Sequence, residues 1–230
     1  MQNRLLSLLF FPILLASCAQ VPNQKGHHYE YFNLNAIGKT DIDMVADTHV
    51  KLTINQLKLL AVKLYKRNPR EWKKAKLKSR EAAVARIFSQ PFPVVNGKHS
   101  VDSIRLAFDE QYQGDRVLAF ISGLGSMLTL SYNGKSEFYL FDSLDAQRLY
   151  NGARNIEVAS WLLQTKKKRN GDFFLLSSGQ GITTTNRSYD RLFGKLIGQQ
   201  DLLAQIIATK NHRTIKNVIQ SAARFVFLPV

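Results

Sequence analysis

The 230-residue sequence predicts a mainly α-helical protein, one helical-bundle domain of about seven helices with at most a short extended segment near 173–176. Three observations carry that prediction. From Asp41 onward the apolar residues recur three and four apart, which gathers them on one side of a helix. Capping and breaking residues punctuate the chain at helix-length intervals, among them Asn68-Pro69, Ser79, Pro91, Gly114-Asp115, Gly171 and Ser188. The single cysteine, Cys18, excludes an intramolecular disulfide framework and any multi-cysteine zinc site, so the fold must rest on apolar burial. A composition of 45% hydrophobic and 21% charged residues can supply it. No metal or cofactor is expected.

The first helix is expected over about 43 to 67, where Val50, Ile54, Leu57, Ala61 and Leu64 form a stripe that Leu60 widens. Asn68-Pro69-Arg70-Glu71 then offers a cap, a proline at the first helical position and a glutamate three residues after the cap. Ser79 caps another helix through about Phe88, and Gln90-Pro91-Phe92-Pro93 forbids its continuation. Ser100 opens a helix to about Tyr112; Gly114 ends it and Asp115 caps the next. From Val117 to Asn133 no residue is charged. A helix that is apolar all round is buried all round, and small residues four apart, Ala119 with Gly123 and Ser122 with Ser126, admit a close neighbour. The stretch falls short of the roughly 20 apolar residues that cross a bilayer, so a central bundle helix is the reading.

Asp142 or Ser143 caps a long helix to about Lys168 on the stripe Leu149, Ala153, Ile156 and Leu163. Lys166-Lys167-Lys168-Arg169 would complement the dipole of its last turn, and Asn170-Gly171 would stop it. Phe173 to Leu176 reads as a short strand or an apolar plug, and Gly179 to Thr185 as loop. Ser188 caps a helix carrying Leu192, Phe193, Leu196, Leu203, Ile206 and Ile207. Thr214 caps a last one with Ile215, Val218, Ile219 and Ala222, after which the apolar end Phe225 to Val230 docks onto the bundle.

The N-terminus carries an address. Arg4 precedes an apolar run from Leu5 to Ala16, and Leu15-Ala16-Ser17 leads directly into Cys18. These are the parts of a secretory signal. The four residues resemble the lipobox of bacterial lipoproteins, which implies that Cys18 is acylated and becomes the first residue of the mature chain. The expected organisation is a signal peptide at 1–17, a lipidated tether at 18–40 and a helical domain at 41–230. Ala19 after the cysteine implies, by the sorting rule of enteric-type bacteria, an outer-membrane anchor with the body in the periplasm. The segments Leu64-Tyr-Lys-Arg-Asn-Pro-Arg-Glu-Trp72 and Gly114-Asp-Arg-Val117 also resemble parts of uncharacterised proteobacterial lipoproteins, a resemblance that brings no activity with it.

The formal charge of +15 is concentrated. Between Lys51 and Arg86 stand twelve Lys and Arg against Glu71 and Glu81 alone. Such a stripe attracts polyanions and anionic surfaces, with Lys58, Lys66, Arg67, Arg70, Lys73, Lys74 and Lys78 as the expected binding residues. Export ranks anionic lipid, lipopolysaccharide, wall polymer or a protein partner above nucleic acid. The competing reading is a solvated helix face partly paired with Asp41, Asp43 and Asp47. Leu52, Leu59 and Val62 lie among these lysines, opposite the main stripe, which suits an interface or burial under another helix.

Signals for catalysis are sparse. His49, His99 and His212 are dispersed, and His-Glu-x-x-His, Gly-x-Ser-x-Gly and P-loop motifs are absent. Lys98-His99-Ser100-Val101-Asp102 collects a base, a hydroxyl and a carboxylate, but Ser100 is expected to cap a helix. The leading expectation is a non-enzymatic, membrane-tethered binding or scaffold module; the alternative is an envelope hydrolase acting on cell wall or lipid through a dispersed site. Lipidation is testable first: Cys18→Ala should abolish fatty-acid incorporation and leave a longer, unprocessed precursor on a gel, whereas equal labelling of mutant and wild type removes the basis of the address.

Overall fold

The first helix starts on a reciprocal cap. In the computed structural model, which describes residues 38–178, 187–212, 215 and 226–230, the Thr40 hydroxyl accepts from the Asp43 amide at 3.2 Å and the Asp43 carboxylate accepts from the Thr40 amide at 2.7 Å. Cys18, most of the tether, the 179–185 loop and Thr214, Val218, Ile219 and Ala222 lie outside the described residues. Helix α1 (Asp41–Arg67) buries Val50, Leu57, Leu60, Ala61 and Leu64, the stripe its periodicity predicts. Then follow α2 (Pro69–Lys74), α3 (Arg80–Ile87), α4 (Ser100–Leu106), α5 (Arg116–Ser131), α6 (Ala146–Thr165) and α7 (Ser188–Lys210). Among the described residues there is no strand, and the protein is mainly α-helical with seven helices.

α5 is the hub. It packs against α1, α2, α3, α4 and α6, while α7 closes the bundle against α1 and α6. Thirteen of its sixteen residues are buried, in keeping with the absence of charge from Val117 onward. Among the described residues no helix is long and apolar enough to cross a membrane. The small residues on α5 admit neighbours closely. A Cβ at Gly123 would stand 2.7 Å from the Ile104 amide nitrogen and 2.8 Å from the Ser100 carbonyl oxygen, so α4 lies directly on the α5 backbone. A Cβ at Gly125 would strike the Phe92 ring at 2.4 Å.

Several helix boundaries differ from expectation, each because a tertiary partner claims the residue. Ser100 does not cap α4: its φ is +51°, and its amide donates to Ser126 Oγ at 2.8 Å. α4 stops at Leu106 instead of Tyr112, since the Arg116 guanidinium takes the Ala107 and Asp109 carbonyls at 2.9 and 2.7 Å and turns the chain away. Asp145, instead of Asp142 or Ser143, caps α6 by accepting from the Gln147 and Arg148 amides. Asp142 is held by Lys135, and the Ser143 carbonyl accepts from Asn133 Nδ2. α6 ends at Thr165, so Lys166 to Arg169 do not complete its last turn. They enter a tight turn closed by a bridge between Lys167 and Phe173, with Gly171 at φ +86°. Ser188 is the first residue of α7, not its cap, and its hydroxyl accepts from Lys63 Nζ at 2.7 Å.

Phe174 and Leu175 are buried, so the 173–176 segment acts as a plug. The C-terminal residues dock as expected: Asn155 exchanges two hydrogen bonds with the Leu228 backbone, and Asn151 Nδ2 donates to the Pro229 carbonyl at 2.7 Å. Inside the bundle Tyr132 donates to Gln200 Oε1 at 2.7 Å, and Gln200 Nε2 donates to Ser131 Oγ at 3.0 Å, tying α5 to α7. His49 abuts this network, its Nδ1 3.3 Å from the Tyr132 hydroxyl. Burial holds its imidazole down at about 4, against an opposing pull from the Gln199 backbone, so it is neutral at pH 7.

The α4–α5 contact can be tested directly. Gly123→Ala should destabilise the protein by at least about 1–3 kcal/mol, because the atoms in the way are backbone and cannot swing aside. Urea unfolding with an unchanged midpoint would show that the two helices are not in close contact.

Candidate functional site

Two surfaces follow from the chemistry of the Lys51–Arg86 region, one buried and one exposed. The buried one surrounds the N-terminus of α5, whose first amides have no partner within the helix. Asp115 Oδ1 accepts from the Val117 and Leu118 amides at 3.0 Å each, and Glu71 Oε2 accepts from the Arg116 amide at 2.8 Å. Asp115 Oδ2 accepts from the Tyr65 hydroxyl at 2.7 Å, and Lys74 Nζ donates to Glu71 at 2.8 Å and to the Gly114 carbonyl at 3.2 Å. Burial, with the Glu71 charge adding to it, raises the Asp115 carboxyl above the usual range, while amide and Tyr65 hydrogen bonds oppose the rise. Burial and Asp115 together push the Tyr65 hydroxyl far up, so it remains a donor at all ordinary pH.

The segments Leu64–Trp72 and Gly114–Val117 thus meet in one knot. Glu71 does not close a capping box on α2; it caps α5. Nor does the Asn68 side chain cap α2. Its Nδ2 donates to the Leu64 and Leu176 carbonyls at 2.9 Å, and its Oδ1 accepts from the Leu176 amide at 2.8 Å, which pins the plug to the end of α1.

The stripe residues therefore divide. Lys74 belongs to the knot, and Arg67 is half-buried at the end of α1. Lys58, Lys66, Arg70, Lys73 and Lys78 are exposed, with Lys58 Nζ 5.6 Å from the Phe88 ring centre and Lys73 Nζ 5.7 Å from that of Trp72. Two of the three aspartates expected to neutralise them look elsewhere, while Asp41 is exposed at the start of α1. Asp43 serves the Thr40 cap, and Asp47 is held by Lys39 and by the Phe138 amide at 2.8 Å. Both stripe carboxylates are also engaged, Glu71 in the knot and Glu81 by Arg80 at 2.8 Å.

The exposed surface is the outer side of α1. Met44, Val45, Leu52, Leu59 and Val62 stand in solvent there, Leu59 at 56% exposure, among exposed Lys51, Lys58 and Lys66. Asp47 is the one acid between Met44 and Lys66, and it is buried. These residues extend along about 33 Å of helix. Alongside runs a groove of about 480 Å³ between α1 and α3, lined by Lys58, Val62, Arg80, Glu81, Val84, Ala85 and Phe88. Leu52, Leu59 and Val62 are therefore exposed, and no other described helix covers them.

Elsewhere, a polar cavity of about 530 Å³ is lined by Asn133, Ser143, Asp145, Arg148 and Asn211. Its carboxylate is the α6 cap, and Arg148 donates to Asn133 Oδ1 at 3.1 Å. In the 98–102 segment Asp102 pairs with Arg105 at 3.0 Å and the Ser100 amide is held by Ser126, so its members face different partners. Among the described residues no three His, Cys, Asp or Glu side chains gather as a metal site would require. Sequence reasoning passed over one exposed feature, Tyr139-Leu140-Phe141 in the α5–α6 connection. Its signal was an apolar run of four, Phe138 to Phe141, between Glu137 and Asp142, just after an Asn-Gly turn.

No protein-family model, curated protein or solved structure matches this chain.

The knot and the exposed stripe should respond differently to mutation. Glu71→Ala should cost about 2–3 kcal/mol, because it strands the buried Arg116 amide. Lys74→Gln removes a partly exposed partner and should cost less than about 1 kcal/mol. Paired urea titrations measure the contrast; equal effects would place Glu71 outside the knot.

Proposed function

We propose that the protein is a lipid-anchored envelope protein whose helical body is a non-enzymatic binding module, and that its α1 face and the adjoining cations engage an anionic lipid surface. The observation that carries this reading is the outer side of α1: five exposed apolar residues interleaved with three lysines, the one acid between Met44 and Lys66 being buried. A helix face of that kind lays its apolar groups at the boundary of headgroups and acyl chains while the long lysine stems bring the ammonium groups to phosphates. Arg70, Lys73 and Lys78 on and after α2 add charge beside it. The lipobox at 15–18 supports the same partner, since the two or three acyl chains that the resemblance implies would hold the body beside a bilayer. Ala19 supports placement at the outer membrane with the body in the periplasm.

Each cation near an anionic membrane adds about 1 kcal/mol, less as salt rises. Residues 19–230 should therefore sediment with vesicles containing anionic lipid, weakly or not at all with neutral ones, and the binding should fall steeply with added salt. Changing Lys58, Lys66, Arg70, Lys73 and Lys78 to Gln should reduce it at least tenfold with an unchanged circular dichroism spectrum. If wild type and variant behave alike, the lysines are a solvated face. Binding to anionic wall polymer but not to vesicles would transfer the stripe to that partner.

A further inference from the structure

The connection between α5 and α6 is held down firmly yet presents its most apolar residues to solvent. Asn133 and Gly134 turn the chain with φ of +56° and +75°. Phe138 is buried and its amide donates to Asp47 Oδ1 at 2.8 Å. The Leu140 amide donates to the Gly38 carbonyl at 2.9 Å, the Tyr139 amide to Asp142 Oδ2 at 3.1 Å, and Asn133 Nδ2 to the Ser143 carbonyl at 2.7 Å. From this base Tyr139 and Leu140 project at 41% and 56% exposure and Phe141 at 96%. A tethered tip of three large apolar side chains marks an interaction site far better than isolated exposed residues do.

Two observations say what covers it. Gly38, which the loop grips, is where the chain arrives from the segment bearing Cys18, twenty residues earlier. Asp47, which holds the Phe138 amide, lies one turn from both Met44 and Lys51, so the loop flanks the exposed α1 face. The charges around the tip also suit a headgroup layer. Lys135 holds Asp142, and Glu137 accepts from the Tyr139 hydroxyl at 3.1 Å and lies 4.0 Å from Lys39, which itself sits 4.5 Å over the Tyr139 ring.

We infer that Tyr139-Leu140-Phe141 inserts into the interfacial layer of the phospholipid bilayer that carries the anchor, and so fixes the body with α1 against the headgroups. Aromatic and leucine side chains partition to that depth, and Tyr keeps its hydroxyl among the headgroups. This inference rests on the lipid-anchored reading above but not on the lysines.

The experiment uses the full lipidated protein reconstituted into vesicles. With Cys18 acylated, Phe141→Cys supplies a free thiol for an environment-sensitive fluorophore, and Asn170→Cys, on the exposed turn after α6, is the control. The label at 141 should shift to the blue and be quenched by lipids bearing quenchers along their acyl chains, in neutral and anionic vesicles alike and at high salt. The label at 170 should do neither. A label at 141 that reports water while the protein stays anchored overturns the insertion and leaves the lysine reading standing. Quenching at 141 in the anchored protein, together with no preference of residues 19–230 for anionic over neutral vesicles, leaves the insertion standing and overturns the lysine reading. A blue shift that follows protein density on the vesicle, without lipid quenching, identifies a second copy as the occupant and overturns the insertion. Leu140→Ser/Phe141→Ser should restore solvent exposure of a label at Tyr139→Cys without altering the circular dichroism spectrum; persistent quenching would overturn the role of the two residues.

Discussion

A helix buried on every side must still satisfy the amides of its first turn, and α5 meets that requirement with two carboxylates. Asp115 is the helix's own N-cap, Glu71 comes from α2, and Tyr65 on α1 closes the ring by donating to Asp115. Three elements are thereby fixed around one helix end before apolar packing is considered. The helix dipole favours negative charge at that end, which offsets part of the cost of burying two acids close together. Arg116 extends the knot in the other direction by gathering the carbonyls released where α4 stops. The turn from 107 to 115 is thus shaped by a side chain that follows it in sequence.

The rest of the bundle answers to the same helix. Because Gly123 and Gly125 bring α4 and Phe92 onto the α5 backbone, α5 is enclosed on that side by short elements, and the long helices α1, α6 and α7 complete the enclosure. α1 reaches α5 with only its inner stripe. Its outer side is left to solvent with leucines, valines and lysines mixed, and no other described helix needs that surface. Cations of the same short region thus have opposite duties, Lys74 stabilising the interior while Lys58, Lys66, Arg70, Lys73 and Lys78 face outward.

Where sequence and structure part company, the cause is competition for a side chain. Thr40, Ser79, Asp115 and Asp145 cap helices, but Ser100, Ser188, Asn68 and Asp142 have equally good capping chemistry and are drawn to partners distant in the chain or across a turn. A local rule ranks what a residue can do within a few positions; it holds no information about an acceptor 26 or 108 residues away. The same limit explains why the basic run could be counted but not sorted into buried and exposed members. It also hid the 139–141 tip, since three apolar residues between turns look like core until their neighbours are known.

The sequence by itself determined the helical class, the inner stripe of α1, the burial of α5 along its charge-free run from Val117, and the Asp115 cap. Each depends on periodicity or on contacts within a turn, which are written locally in the chain. Only the tertiary structure decided that Glu71 serves α5 instead of α2, that Asp43 and Asp47 turn away from the α1 lysines, and that the α1 face and the Tyr139–Phe141 tip stay exposed among the described residues. Those outcomes depend on which elements meet in space, and burial and hydrogen bonding between distant segments are set by the packing of the whole bundle.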